Sequence, residues 1–344
     1  MKISKISLLN FRNIKKADFD FSDKLMINGK NGSGKTSIIE ASYILLSGKS
    51  FKTHEIKECI KKGEQNFFIK CELKDFNLFN REISIGYSEE GLRKILIDKI
   101  NSSRKELMNI VFSVLHTPDD MELITGGPKW RRNFIDRICF MNDNSYFDNL
   151  IEYNNFIKQK NSALKKGSAK SVRYLNTAAL ELIENIREKR KNGCIEVNKK
   201  ISRLLKDFFP QTEITLNPYI EKNTEEKLFS RLEKEMEKGF ALYGPHLDPL
   251  NIQIETEKLK NTFSMGEIYL LSLILKFSEI EIYREKRVYP TLFIDDAFVF
   301  LDEEREEKLY KIIIEMKNQV IMTSSTENNL KQSEISNINL NLPL

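Results

Sequence analysis

The sequence predicts an α/β fold in which both ends of the chain build one core and the middle of the chain forms a helical insertion. Three observations support this prediction. A glycine-rich segment, 29–36, lies between a short apolar run and a helical pattern. A second apolar run ends in two adjacent carboxylates, Asp295 and Asp296, and the first of them follows Lys35 by 260 residues. Between these segments, from about 145 to 209, apolar residues recur at helical spacing.

Composition sets the broad class. A chain of 344 residues has room for two or three domains, and 40% hydrophobic with 31% charged residues is typical of a soluble globular protein. No apolar run reaches about 18 residues, and the first residues lack the apolar core of a signal peptide. Four cysteines without C-x-x-C spacing indicate a reducing cytosol instead of a zinc site or disulfide frame. We therefore expect a cytoplasmic protein with no membrane partner.

The first hundred residues predict β-structure around one helix. Apolar residues alternate with period two near 6–8, 69–73, 83–87 and 95–97, which indicates an antiparallel meander with one buried face. An apolar strand is then expected from Ile110 to Leu115. A helix start follows at 117–120, where a threonine cap precedes a proline and two acidic residues.

The middle of the chain predicts helices from about Ser145 to Phe209. Two apolar runs there have 3-4 spacing but are out of phase, so the charged segment 187–193 between them is expected to be a skip or a turn. Pro210 ends this region. The predicted domains are 1–115, the N-terminal part of the core; 116–210, a helical arm; and 211–344, the C-terminal part of the core. The last of these contains a charged helix at 225–238 and an apolar helix from 264 to about 287.

Residues 29–36 read G-K-N-G-S-G-K-T, a complete phosphate-binding loop in the strand–turn–helix context that gives the pattern its meaning. Backbone N–H groups of such a loop can surround a phosphate at a helix N-terminus. Lys35 is expected to reach the terminal phosphates, and the Thr36 hydroxyl to ligate Mg²⁺. The predicted ligands of a nucleoside triphosphate are Gly29, Asn31, Gly32, Ser33, Gly34, Lys35, Thr36 and Ser37.

A phosphate loop also needs an acidic residue at the end of a buried strand, and 292–296 is the candidate. Its distance from Lys35 is too large for a compact small-molecule kinase. The segment Ser264-Met265-Gly266-Glu267 is in isolation a helix capping box. Because it opens an apolar helix about thirty residues before Asp295, it is also a candidate for gripping the γ-phosphate of a nucleotide held by another subunit. This order of motifs, ending in Leu301-Asp302, is found in ABC-type heads of the SMC kind.

Eight short segments make the likeness specific. They are S-L-L-N-F-R-N (7–13), the phosphate loop, S-G-K-S-F-K-T (47–53), 117–136, Y-N-N-F-I-K-Q-K-N (153–161), Y-G-P-H (243–246), S-M-G-E (264–267) and 292–305. In this order they resemble the RecF family of bacterial DNA replication and repair ATPases, nearly end to end. The resemblance implies an ABC-type P-loop ATPase head, with a mixed sheet core plus an antiparallel β lobe, and an inserted helical arm domain.

The resemblance also implies roles. Lys35 and Asp296 would be catalytic, with Asp296 orienting or deprotonating the attacking water, and Asp295 would join Thr36 in holding Mg²⁺. Ser264, Gly266, Glu267 and Asp302 would complete the site across a homodimer. ATP would join two heads around double-stranded or gapped DNA, and a weak DNA-stimulated ATPase activity would release them. The family works with RecO and RecR to place recombinase at gaps.

Basic positions are the candidates for DNA contact, through phosphates and therefore salt-sensitively. They are Lys49, Lys52, Lys129, Arg131 and Arg132. For the arm lysines, such as Lys158 and Lys160, a solvated helix face is the simpler interpretation. Three positions depart from the family pattern: Leu247 replaces a basic residue, Val299-Phe300 replaces Ser-Glu, and Met265 is bulky.

Two other classes share parts of this pattern. The head of another SMC-like complex, or an overcoming-lysogenization-type nuclease, would use the same motifs. The nuclease needs an acid-rich metal-binding domain after the head, and we expect the 42 residues beyond Asp302 to be too few. The motor subunit of an ABC transporter would lack so long a helical insertion and would need a membrane partner.

Overall fold

A computed structural model describes residues 1–74, 80–256, 263–325 and 334–340. The chain divides into two compact units, one formed by Met1–Asp119 with Tyr283–Leu344 and the other by Asp120–Ile282. The first unit therefore combines both chain ends, as predicted. No helix of the described ranges is long and apolar enough to cross a membrane.

The first unit contains an antiparallel sheet of six strands. They are β1 (Lys2–Phe11), β2 (Ile14–Asp20), β4 (Asn66–Lys74), β5 (Asn80–Ser88), β6 (Arg93–Ile97) and β7 (Ile100–Asn101), in the order β2-β1-β4-β5-β6-β7. The alternation of apolar residues is the reason for this sheet, since one face is buried. Ile69 and Cys71, for example, pair with Ile85 and Ile83 and are all buried.

The same unit contains a parallel sheet, whose described strands have the order β13-β3-β12-β11-β8. They are β3 (Lys24–Gly29), β8 (Ser113–His116), β11 (Thr291–Ile294), β12 (Val320–Ser324) and β13 (Ser336–Leu340). Every residue of β11 and β12 is buried, as expected for strands covered on both faces. The helices of this unit are α1 (Lys35–Ser47), which packs against strands of both sheets, α2 (Arg104–Ile110) and α11 (Glu303–Glu315).

The expected strand from Ile110 to Leu115 is partly wrong. Ile110 ends α2, and β8 begins only at Ser113. The reason is a helix start that the apolar pattern concealed. Ser103 accepts a hydrogen bond from the Glu106 N–H, and the Glu106 carboxylate accepts one from the Ser103 N–H, so this capping box begins a helix before the strand.

The second unit is mainly helical. Its helices are α3 (Glu122–Thr125), α4 (Pro128–Asn142), α5 (Ser145–Lys165), α6 (Ala169–Ala178), α7 (Leu180–Leu204), α8 (Thr224–Ser230), α9 (Leu232–Lys238) and most of α10 (Met265–Glu285). A two-stranded antiparallel sheet joins β9 (Thr212–Asn217) to β10 (Asn251–Thr256). The charged helix expected at 225–238 is thus two helices, which meet at Arg231.

The break in the helical arm lies at Ala179, between α6 and α7, and not in the charged segment 187–193. Helix α7 continues through that segment, and its buried positions run without a change of phase from Ile183 to Ile201. Arg187, Arg190 and Gly193 occupy buried positions in the middle of this series. The apolar pattern does not reveal the continuity of α7, because two ion-paired arginines and a glycine occupy its buried positions there.

The predicted arm boundary at 210 differs from the structure, in which the second unit extends to Ile282. The β9–β10 ribbon packs on α7, where the Asn198 side chain bonds the N–H and the carbonyl of Leu216 at 2.8 and 3.1 Å. Leu271 and Ile274 of α10 belong to the same apolar cluster as Ile183 of α7. Sequence-distant segments thus complete the core that the arm helices begin.

Candidate functional site

The glycine-rich loop lies between β3 and α1, as predicted. Gly32 and Gly34 have φ angles of +82° and +100°, a region that side chains disfavour. A Cβ atom at Gly34 would lie 3.2 Å from the Asn13 amide. The loop therefore requires glycine here for both conformation and space. It delivers the N-terminus of α1, with its unpaired first N–H groups, to the carboxyl end of the parallel sheet.

Two side chains at the start of α1 face the loop and the neighbouring strand. Lys35 is 6% exposed, and its ammonium donates hydrogen bonds to the carbonyls of Gly29 and Lys30 at 2.6 and 3.0 Å. The Thr36 hydroxyl donates to Asp295 Oδ1 at 3.1 Å. The buried Ser33 hydroxyl has no hydrogen-bond partner in the described part of the chain. These polar groups lie at the loop and at the first turn of the helix that follows it.

Strand order explains how residues 259 positions apart in the chain come to share a hydrogen bond. Strand β12 lies between β3 and β11, so the carboxyl ends of all three are adjacent. Thr323 of β12 donates to Asp295 Oδ1 at 2.7 Å, and its hydroxyl accepts the N–H of Asp296 at 2.8 Å. Asp296, half-buried, has a left-handed φ of +52°. Thr323 thus fixes both acids, a role that no sequence motif predicts.

The electrostatics favour a cation beside Asp295. Burial raises the pKa of this carboxyl, while the hydrogen bonds from Thr323 and Thr36 oppose the change. A carboxylate and a threonine hydroxyl, both hard oxygen donors and 3.1 Å apart, match the ligands that Mg²⁺ takes beside bound phosphates. Asp295 and Thr36 therefore fit the predicted metal site.

A cleft of about 500 Å³ opens at the loop. Its lining includes the predicted residues Asn31, Gly32, Gly34, Lys35, Thr36, Ser37 and Asp296, together with Arg12, Asn13, Lys52, Glu58, Ile60 and Lys62. Arg12 and Asn13 belong to the S-L-L-N-F-R-N segment, whose pattern alone predicts no role for them. They reach the site because the turn between β1 and β2 lies against the phosphate loop. There the Asn13 side chain donates to the Gly32 carbonyl and accepts from the Ser37 hydroxyl, both at 3.3 Å.

The residues expected to act in trans lie at two helix starts. Ser264 is exposed before α10 and forms the predicted capping box, in which Glu267 Oε2 accepts the Ser264 N–H at 2.8 Å. Gly266 is buried in the first turn. Asp302 is exposed and caps α11, accepting the Arg305 N–H at 2.9 Å. These contacts give the three acidic and hydroxyl side chains local structural roles, and their roles in trans stay predictions.

The DNA-contact candidates separate into two groups. Lys49, Lys52 and Lys129 are exposed. Arg131 is only 6% exposed and donates to the carbonyls of Leu123, Gly126 and Leu250, so the expectation of a DNA contact is wrong and its role is structural. Arg132 is half-buried and donates to the Asp248 carbonyl at 2.7 Å. Lys160, assigned above to a solvated face, is fully buried against Glu235.

The three departures from the family pattern lie on the surface. Leu247, Val299 and Met265 are 50%, 50% and 56% exposed. The neighbour of Leu247, in contrast, is part of the interior: Asp248 accepts two hydrogen bonds from Arg187 at 2.6 and 2.7 Å. The segment that follows Y-G-P-H is therefore anchored by a buried ion pair.

The fold and this site define the class of protein: an ABC-type ATPase head. A sequence profile described as "RecF/RecN/SMC N terminal domain" matches residues 2–340. DNA replication and repair protein RecF of Clostridioides difficile (strain 630) is 31% identical, over 99% of this chain and 96% of its own. RecF of Tropheryma whipplei (strain TW08/27) is 30% identical, over 96% of this chain and 94% of its own. The chain belongs to the RecF family of DNA replication and repair proteins.

Solved structures give the same result for the fold. A structure described as the recombination mediator protein RecF-ATP in the RecFOR pathway superposes with a TM-score of 0.85, at 25% identity, over 98% of this chain and 95% of that one. An Smc head bound to the C-winged helix domain of ScpA superposes less well, with a TM-score of 0.60 at 18% identity over 95% and 90%. The likeness to RecF is thus closer than that to this SMC head.

Proposed function

We propose that the protein is an ATP-switched DNA clamp, in which ATP joins two heads around double-stranded DNA at gaps and hydrolysis releases them. The observation that carries this proposal is the convergence of Lys35, Thr36 and Asp295 at the adjacent ends of β3 and β11. Such a site fits a nucleoside triphosphate, and in this proposal a helix N-terminus of a second subunit contacts its γ-phosphate. The exposed Ser264, at the start of an apolar helix, is the group that we assign to this task in a second copy.

Catalysis in this proposal is positioning and electrostatics. The loop N–H groups and Lys35 would hold the phosphates, and Thr36 with Asp295 would hold Mg²⁺, which would supply charge neutralisation when bound. Asp296, whose backbone N–H is held by Thr323, orients the attacking water from the wall of the cleft. The products are ADP and phosphate. Gly266 and Glu267 with Ser264, and Asp302 at its own helix start, would complete the site from the partner.

DNA is proposed to meet the exposed Lys49 and Lys129, with a smaller contribution from Arg132 because its side chain is partly engaged. Lys52, also exposed, lines the nucleotide cleft and is therefore left out of this set. Contacts of this kind are made to phosphates, so binding weakens steeply with salt and is independent of sequence. By family membership we further propose a cytoplasmic location, DNA stimulation of a weak ATPase, and cooperation with RecO and RecR in loading recombinase.

The test is size-exclusion chromatography with light scattering, with and without Mg²⁺ and ATP, followed by binding to a fluorescent duplex that contains a gap. We expect the wild-type protein to double in mass with ATP and to bind DNA more tightly. Lys35→Met should remain monomeric, and Ser264→Arg should bind ATP without dimerising. A wild-type protein whose mass and DNA affinity are unchanged by ATP would refute the clamp.

A further inference from the structure

Glu40 is a fully buried carboxylate on α1, five residues after Lys35. It accepts two hydrogen bonds from the Arg12 guanidinium, at 2.8 and 2.6 Å. It also accepts the Ser50 hydroxyl and faces the Cys59 thiol, whose sulfur lies 3.6 Å away. A buried charge persists only when it is paired in this way. The groups that pair with Glu40 come from three separate segments of the first unit.

The first of these segments is the turn between β1 and β2. Arg12 has a left-handed φ of +53°, and a third hydrogen bond joins its Nη1 to the Glu58 carbonyl at 2.8 Å. The next residue, Asn13, contacts the phosphate loop and the first turn of α1. Because Glu40 fixes the Arg12 side chain, it also fixes the wall of the cleft that Arg12 and Asn13 form.

The second segment is the turn after α1. The Ser50 hydroxyl donates to Glu40 and accepts the N–H groups of Lys52 and Thr53, at 3.0 and 3.1 Å. This arrangement closes a tight turn whose conformation depends on the hydroxyl. Lys52 extends from the turn into the lining of the cleft, together with Asp296. The backbone from which the Lys52 side chain enters the nucleotide cleft is thus held through a chain of two buried groups, Glu40 and Ser50.

We propose that Glu40 is a positioning residue that couples both walls of the cleft, and that through Ser50 and Lys52 it makes the site prefer a triphosphate to a diphosphate nucleotide. The inference rests on the proposed function. Its physical basis is that the terminal phosphate adds negative charge, and a lysine on a preordered turn stabilises that charge more than one on a mobile turn, because less ordering entropy is lost on binding. The alternative is that the Glu40 cluster only stabilises the fold.

The test compares the affinities for ATP and ADP, measured with Mg²⁺ by isothermal titration calorimetry. Glu40→Gln keeps the side-chain shape and removes the charge, while Ser50→Ala removes the hydroxyl that joins Glu40 to the turn containing Lys52 and Thr53. Both variants, and Lys52→Ala, should lose about tenfold in affinity for ATP, the effect of one charge-assisted contact, and less than about twofold for ADP. Ser50→Ala keeps the Arg12–Glu40 pair, so it tests the link even if Glu40→Gln folds poorly.

Glu235→Gln is the matched control. Glu235 is also fully buried and ion-paired, with Lys160 at 2.8 Å, but it belongs to the second unit. The Glu235→Gln variant should have a lower melting temperature than the wild-type protein and the same ratio of ATP to ADP affinity. The inference is overturned if Glu40→Gln and Ser50→Ala keep the wild-type ratio while the wild-type protein binds ATP. A wild-type protein that binds neither nucleotide would instead refute the proposed function and the inference with it.

Discussion

Replacing Asp248 by alanine should strongly destabilise the second unit. Arg187 donates two hydrogen bonds to this carboxylate and one each to Thr224 and Tyr243, both at 3.0 Å. The side chains of the pair are 8% and 7% exposed. Asp248→Ala leaves a buried guanidinium without its counter-charge, and breaking such a pair costs about 3–5 kcal/mol.

The assay is urea unfolding followed by tryptophan fluorescence. The chain has one tryptophan, Trp130, and it lies in the second unit, so the signal reports that unit. With a slope of about 2 kcal/mol per molar urea, the expected loss lowers the midpoint by roughly 2 M. The control is Lys189→Ala, which removes one member of a partly exposed pair and should cost less than about 1 kcal/mol.

A double variant tests whether the loss of stability comes from the unpaired buried charge. Replacing Arg187 by methionine and Asp248 by leucine removes both charges, and an apolar pair of similar volume should recover most of the lost stability. If Asp248→Ala shifted the midpoint no more than Lys189→Ala does, the buried pair would not hold this segment, and the structural role given to it would be refuted.

The remaining predictions concern single positions. Gly34→Ala and Gly63→Ala each force alanine into a left-handed conformation and should lower the free energy of unfolding by about 1–2 kcal/mol. Only Gly34→Ala should also abolish ATP binding, since Gly63 has open space around it, and equal ATP affinities of the two variants in a calorimetric titration would contradict this. Asp302→Ala removes the cap of α11 and should lower the free energy of unfolding, measured by thermal melting, by about 1 kcal/mol. Asp302→Asn should recover most of this loss, and an Asn variant as unstable as the Ala variant would contradict the capping role. Burial lowers the pKa of His246 to about 4, so the folded protein resists its protonation and stability should fall as the pH decreases from about 6.5 to 4. His246→Gln should flatten this part of the plot of urea midpoint, measured by Trp130 fluorescence, against pH, and an unchanged plot would contradict the prediction.

Much of the first unit was predictable from local pattern. The phosphate loop could be predicted because the strand before it, the glycine-rich turn and the helix after it are contiguous in the sequence. The two-residue period of β4 and β5 likewise reports a sheet with one buried face. The capping box at Ser264 was also correctly predicted, because its two hydrogen bonds depend on residues three apart.

The contacts that escaped prediction depend on distant residues. Arg187 and Arg131 look like surface charges in the sequence, and only the fold shows that carboxylates and carbonyls surround them. The hydroxyl of Thr323 becomes part of the site because β12 lies between β3 and β11, which is a property of strand order. Glu40 could not be identified from spacing, since its partners lie in three separate segments of the chain.

Mixing two inactive variants tests directly whether each ATPase site is built from two subunits. In a dimer of Lys35→Met with Ser264→Arg, one site combines an intact Lys35 with an intact Ser264, and the other site has lost both. The ATPase rate, measured with gapped DNA present, should be near zero for each variant alone. In an equimolar mixture it should recover to as much as about half of the wild-type rate, since only mixed dimers form and each has one intact site of two. A mixture as inactive as its components would contradict the account, because each chain would then have to complete its own site.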